Sequence, residues 1–556
     1  MPSISYAVDD VPPARITWLN ALQHISLSAV TLVFPRIVAE AAGADPETIT
    51  LYVSLAMVAM GIGTLIQAFG RFGIGSGYLL LGHCTILYVP FAVAAAEAGG
   101  LGAVAGLTIV AGCTEMLLSR CLRLLRAYIP PEIVGVVILL LGLALGMFGL
   151  KLIVGAGPGS NADALQVAAS AITLATIVAV AVWAGPALRS LAVLVGVATG
   201  CVVYAVAVIV AGDVAAATRD IAVVAPAWPL AAPSLPLEFL PGFLIGALAC
   251  FVRAIADLTA CQQLADPNWK SVDLRSIRAG TLADGLGCVV AGIAGVLGTN
   301  TYSGSVGLAA ANGVLARRVG VAAGIGWIAL GLIPGAASVL YAIPAGIFGA
   351  ACFYSATFTI RAGIQMLAQR FIDARRTVII GTAVVVAVIV TDSHGNGHLP
   401  SLVQQVLSSP LAAAMLLALA LNAVLRLGAP KVAGTRWRPA AGFGQLKDFA
   451  ETQGRAWGAR VDLIARAEHF LEEFSVLAPE LVAADREVEL RMRYDEVGIQ
   501  IELGWRGTPL AVGGPVSVDV DDGSLQVALM RHWADELRSS GTDDGRQTLV
   551  AYVDEG

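Results

Sequence analysis

GIGSGYLLLGHCTILYVP at residues 73–90 and GVLGTNTYSGSVG at 295–307 stand where apolar stretches of membrane length should begin. Neither reads as a helix, because glycines, hydroxyls and β-forming residues occupy positions where a helix needs good formers. Irregular backbone at membrane depth is tolerated only where protein buries it or it lines a cavity. A matched pair of interrupted segments in two halves of a chain points to a transporter's binding site. The alternative is a pair of glycine-rich packing helices.

The rest of the chain decides whether a membrane reading is warranted. Of 556 residues, 57% are apolar and 13% charged, 61 are glycine, and the mean hydropathy is +0.78. Soluble domains carry about 25% charged residues, so most of this chain belongs in a bilayer. A helix crosses the hydrocarbon with about 20 apolar residues. Windows of that kind number fourteen: roughly 16–40, 49–70, 78–97, 101–120, 131–150, 163–184, 190–211, 238–257, 278–297, 305–317, 319–338, 340–363, 376–391 and 402–426. The two interrupted stretches fall in the third and tenth, the third member of each set of seven.

Basic residues collect on the cytoplasmic side. Breaks after even-numbered windows hold Arg71, Arg120, Arg123, Arg126, Arg189, Lys270, Arg275, Arg278, Arg317, Arg318, Arg370, Arg375, Arg376, Arg426 and Lys431. Breaks after odd-numbered windows hold Arg36, Lys151 and Arg219, beside several acids. The asymmetry predicts both termini in the cytoplasm and an even number of spans; the expected location is the inner membrane. Residues 1–15 read as a cytoplasmic N-terminus; with Asp9, Asp10 and three prolines they lack the pattern of a cleaved signal, so the first span is expected to be retained. The eight cysteines sit in the apolar part without CxxC spacing and read as small buried hydrophobes.

Residues 436–556 differ in kind, holding 13 Lys/Arg and 22 Asp/Glu, a net −9. After a linker at 428–444, residues 445–556 read as a soluble α+β domain: helix over 445–480, a β-hairpin over 488–505, helix over 523–538 and a strand over 546–553. Nothing in this acidic segment suits a nucleic acid. No nucleophile–base pair, metal cluster or phosphate-binding loop is visible, so no enzyme and no bound cofactor is expected.

The chain resembles the nucleobase/ascorbate transporters, the uracil and xanthine permease family. The resemblance rests on LQHISLSAVTLVFP in span one, GSGYLLLGHCT in span three, RAYIPPEIVGVVILLLGLAL (126–145), RSIRAGTLADGLGCVVAGIAGVLGTNTYSGSVGL (275–308) and IPAGIFGAACF (343–353). It implies an all-α polytopic membrane protein of fourteen helices, in inverted repeats of seven (about 16–212 and 236–427), with short strands in spans three and ten. It further implies a homodimer and a proton gradient as driving force. The tail weakly resembles the ATPase-like fold of histidine kinases and anti-sigma kinases, through RAEHFLEEF (466–474) and 529–553. The magnesium-binding asparagine and the adenine-reading aspartate have no counterpart, Trp505 and Arg506 standing near the latter's place. A non-catalytic regulatory or dimerising module, with a cytoplasmic partner, is expected.

The family pattern is broken at the site. Where it has a base-binding glutamate in span eight, this chain has Arg253, followed one turn later by Asp257; where it has a polar pair at the start of span ten, this chain has Gly304 and Ser305. A guanidinium offers five donors and no acceptor, which suits a carbonyl edge or an anion. Arg253 and Asp257 at i,i+4 either neutralise each other as a structural pair, or Arg253 faces the solute while Asp257 or Asp284 exchanges the coupling proton. Gly304 and Ser305 open a helix whose free N–H groups favour an acceptor, or Ser305 is a plain cap. Tyr302, His83 and Cys84 complete the expected substrate lining. His24 is a candidate proton relay or a packing residue, and Asp284 a proton site or a cap. Gln23, Ser303 and Thr301 are expected to support these groups, and Glu115 to pair with a neighbouring arginine.

The leading expectation is proton-coupled uptake of a planar, carbonyl-rich solute, most simply an oxopurine or pyrimidine. A carrier of another anion class and a transport-dead receptor signalling through the tail are the alternatives.

Overall fold

The computed structural model describes residues 4–122, 131–156, 163–189, 191–210, 232–266, 269, 272–368, 372–392, 401–407, 410–425, 431–482, 486–495, 498–510, 522–541 and 545–554. Arg123, Arg126, Arg219, Lys270, Arg370 and Arg426, which enter the charge pattern above, lie outside them. The chain forms two compact units, one of Met1–Trp269, Asp273–Met366 and Thr382–Ala418, the other of Lys270–Val272, Leu367–Gly381 and Leu419–Gly556.

The first unit is helical. Its elements are α1 (Ala14–Ala29), α2 (Val33–Ala41), α3 (Pro46–Phe69), α4 (Val89–Arg120), α5 (Pro131–Ile153), α6 (Ala164–Trp183), α7 (Ala192–Val210), α8 (Leu240–Ala265), α9 (Leu274–Ile293), α10 (Ser303–Asn312), α11 (Arg317–Leu332) and α12 (Ala345–Leu367). Among the described residues nine helices are long and apolar enough to cross a membrane, α1 and α2 counting as one. This is fewer than the fourteen windows, for visible reasons. The third window turns helical only at Val89 and runs into the fourth across Gly100, whose φ of 69° breaks the helix. The tenth window yields only the ten-residue α10.

Between α3 and α4 the chain is irregular except for β1 (Gly82–Cys84), which pairs antiparallel with β2 (Thr299–Thr301) in the register Gly82↔Thr301, His83↔Asn300, Cys84↔Thr299. The two interrupted stretches therefore satisfy part of each other's backbone, as a buried non-helical segment must.

Glycines let the surrounding helices close on this pair. A Cβ at Gly61 of α3 would lie 2.6 Å from the Gly324 carbonyl of α11, one at Gly112 of α4 2.6 Å from the Gly285 carbonyl of α9, and one at Gly149 of α5 2.5 Å from the Gly349 carbonyl of α12. Backbones this close leave no room for a side chain, the usual basis of tight packing between membrane helices.

The second unit contains the first turns of α13 (Ala374–Asp392), the last turns of α14 (Pro410–Leu425) and the acidic tail. Five strands, β3 (Lys431–Trp437), β4 (Val488–Tyr494), β5 (Gly498–Arg506), β6 (Glu536–Gly541) and β7 (Arg546–Asp554), form an antiparallel sheet in the order β3-β4-β5-β7-β6. Alternation fixes its buried face: Val488, Leu490, Met492 and Tyr494 point inward, between outward charges. They pack with Trp437, Phe470, Phe474 and Trp505, joined by residues of α15 (Phe443–Trp457) and α16 (Val461–Leu481). Two expectations need correcting. The stretch read as a linker at 428–444 contains the edge strand β3, and the helix read over 523–538 ends at Trp533, its last residues entering β6 because they pair with β7.

Within this unit buried Arg376 donates to the carbonyls of Trp457, at 3.5 Å, and Gly458, and Lys431 donates to Trp457 O at 3.2 Å and Asp373 at 3.3 Å. Cations thus cover the C-terminal carbonyls of α15, where the helix dipole favours them. Burial alone would raise the Asp373 carboxyl, but the Arg376 backbone N–H and the charges of Arg376 and Lys431 outweigh it and hold it below the usual carboxylate range. A native value below the unfolded one stabilises above about pH 4, and that share is lost as pH falls through the native value. Asp373→Asn should therefore flatten the acid limb of the tail's stability profile, read as melting temperature against pH from tryptophan fluorescence.

Candidate functional site

The site grows from the strand pair. His83 on β1 faces Asn300 on β2, and its Nδ1 lies 2.8 Å from the Asn300 carbonyl. A carbonyl only accepts, so Nδ1 donates and the neutral ring keeps a lone pair on Nε2. That lone pair receives Arg253 Nη1 at 3.4 Å. Arg253 Nε stands 3.4 Å from Ser303 Oγ and 3.7 Å from Asp257 Oδ2. Thr301 Oγ1 donates to the same Asp257 oxygen at 2.8 Å. Arg253, on α8, is 2% exposed, and Asp257 is 3% exposed. The contacts of the guanidinium are longer than the usual 2.7–3.2 Å of N–H···O bonds. The cation is neutralised at i,i+4 and held only loosely.

Tyr302 stacks at a tilt on His83, ring centroids 4.7 Å apart, and its hydroxyl donates to Leu27 O at 3.3 Å. Leu27 also lines an open cleft of about 560 Å³ with Gln23, Asn312 and Tyr354. Tyr302 therefore stands between that cleft and the His83–Arg253 contact.

Gly304 has a reason to lack a side chain: a Cβ there would lie 2.6 Å from Tyr302 Cζ. The polar side chain that the resemblance implies for this position has no room beside the present tyrosine pose. Gly304→Gln should displace the ring and cut uptake at least about tenfold, measured as initial rate in proteoliposomes. Ser305 is fully buried and is not the residue at the N-cap position. The helix begins at Ser303 with Tyr302 as its N-cap, and the Ser305 hydroxyl donates to Tyr302 O at 2.8 Å and accepts from Leu81 N at 3.3 Å, tying α10 to the approach of β1.

The remaining expected residues are spread out. Asp284, on α9, accepts from Asn300 Nδ2 at 2.5 Å. It reaches the cluster only through β2. Gln23 accepts from Asn312 at 2.7 Å and ties α1 to α10 along the cleft. His24 is buried, with no hydrogen-bond partner for either ring nitrogen among the described residues. Cys84 follows His83 on a strand, so it points to the opposite face, beside Tyr52, and is not brought to Arg253. Among the described residues Glu115 pairs with no arginine; it accepts from Tyr88 at 2.6 Å. Asn300 was not singled out from the sequence, although it joins two residues that were, Asp284 and His83. Its only signal was a polar residue with no apolar excuse inside TNT.

A model of the xanthine/uracil permease family, described as "Permease family", matches residues 15–395. The chain belongs to this family. It is thus a multi-pass membrane transporter and not an enzyme. Xanthine permease XanQ of Escherichia coli (strain K12) is 26% identical over 452 residues, covering 76% of this chain and 93% of the relative. Xanthine permease XanP of the same strain is 25% identical over 444 residues, covering 75% and 94%. Among solved structures, the transmembrane domain of the cyanobacterial bicarbonate transporter BicA aligns with a TM-score of 0.46 at 15% identity, covering 74% of this chain and all of that one. SLC26A9 aligns at 0.48 and 13%, covering 76% and 67%. Scores at this level transfer no function.

Proposed function

We propose that this permease is a secondary active transporter that takes up a nucleobase-like, carbonyl-rich planar solute with a proton across the inner membrane. The observation that carries the reading is the loosely held Arg253 guanidinium at the meeting of β1, β2 and the N-terminus of α10. Donors without short partners fit a solute bearing carbonyl oxygens. Xanthine has two such oxygens on one edge system, and relatives of this chain are named for it.

The reading includes fourteen crossings in two inverted repeats, with both termini cytoplasmic. The glycine contacts support it: a two-fold relating spans one to seven with eight to fourteen exchanges the contact of spans two and eleven with that of four and nine, and maps the contact of five and twelve onto itself. Homodimer formation and a regulatory role for the acidic tail belong to the same proposal. In this reading Asp257 serves chiefly to neutralise Arg253, and Asp284 is the better candidate for the proton.

Uptake of radiolabelled xanthine, uracil, urate and bicarbonate into proteoliposomes with an acidic exterior tests it. Accumulation of a nucleobase that collapses when the gradient is abolished is the expected result. Accumulation of bicarbonate alone would make the protein an anion carrier, and binding without accumulation would make it a receptor.

A further inference from the structure

Glu115 is 1% exposed on α4 and is not used by the site described above. Its Oε1 accepts from Tyr88, while among the described residues its Oε2 is buried without a donor. Against it lies the carboxyl of Asp284. The approach is built into the fold, since Gly112, one turn before Glu115, and Gly285, next to Asp284, are the glycines at which α4 and α9 touch backbone to backbone.

The groups facing this pair from every element packed on it are Tyr88, Cys250 and Cys288, with Arg253 and Asp257 acting on Asp284 from farther off. Among the described residues no cation touches Glu115. Two carboxylates buried together resist ionising at once, which favours a single shared proton. Such a proton supplies the donor that Glu115 Oε2 lacks. A second buried acceptor, Asn300 Oδ1, is likewise without a donor.

We propose that Glu115 and Asp284 form a carboxyl–carboxylate pair that holds the coupling proton, and that Asn300 relays its state to the Arg253 site. The inference rests on the transport reading above and assigns its proton. Asn300 is the physical link. Its side chain donates to Asp284 and to Cys250 O, while its backbone carbonyl holds the His83 ring that faces Arg253. Adding a proton to the pair weakens the charge that Asn300 Nδ2 binds. β2 can then shift, and with it Thr301 on Asp257 and the carbonyl that orients His83. The proton comes from the outer solution with the solute and leaves to the inner one, and no other group is consumed.

The experiment uses the full chain in proteoliposomes with xanthine as the probe. Wild-type protein is expected to accumulate xanthine under an acidic exterior; if it does not, the coupling reading fails, and this assignment with it. Given wild-type accumulation, Glu115→Gln is expected to lower it at least about tenfold while xanthine–xanthine exchange, which moves no net proton, falls less than about threefold. Accumulation by Glu115→Gln equal to wild type overturns the proposal. Should that variant fail in both assays, Tyr88→Phe decides: removing the hydroxyl that donates to Glu115 is expected to shift the pH of half-maximal uptake, and an unchanged midpoint overturns the assignment.

Discussion

Arg253→Ala is expected to reduce xanthine uptake at least about a hundredfold while the protein still reaches the membrane, since losing the donors to a buried solute carbonyl leaves that oxygen unpaired. The geometry sets the direction. His83 is locked by the Asn300 carbonyl into the form that accepts from Arg253, so without the guanidinium its Nε2 also loses its donor. Arg253→Lys should rescue poorly, because one ammonium cannot serve His83, Ser303 and Asp257 along the directions of a planar fork. Arg253→Glu should move preference away from carbonyl-rich solutes and toward those presenting N–H groups. Competition of xanthine uptake by a panel of bases measures that change, and an unaltered order of inhibitors would reduce Arg253 to a structural ion.

The second large effect separates the two roles left open for the Arg253–Asp257 pair. Removing one member strands a buried charge, so Asp257→Ala should lower stability by about 3–5 kcal/mol, whereas replacing both with apolar residues costs far less. Arg253→Met combined with Asp257→Leu should therefore melt close to the wild type in detergent and still transport nothing. If the pair were only structural, the double variant would regain uptake along with stability. Thr301 adds to the asymmetry, because its hydroxyl remains on Asp257 when the arginine is removed but has no acceptor when the acid is.

The backbone features were legible where composition itself was abnormal. Glycine and hydroxyl runs at 73–90 and 295–307 could not continue a helix, and they became irregular chain with β1 and β2. Arg253 and Asp257 were legible as a pair because helical spacing alone places i and i+4 together. Cys84 could have been set aside from sequence, since strand parity opposes it to His83. Asn300 and Glu115 could not have been read in this way. Each is a single polar residue whose partners come from elements far along the chain, Asp284 and Cys250 for one and Tyr88 for the other. In the tail, β6 is almost wholly exposed, so it lacks the alternation that reveals a strand and reads as a polar helix end. At Gly304 the resemblance implies a polar side chain, and only the structure shows the Tyr302 ring against that position.

The most direct measurement is a structure of the full chain with xanthine bound. The xanthine ring is expected in contact with Arg253, with a carbonyl oxygen within hydrogen-bond distance of the guanidinium and the Tyr302 ring against one face. Xanthine seated elsewhere, with the Arg253 guanidinium still closed on His83, Ser303 and Asp257, would contradict it.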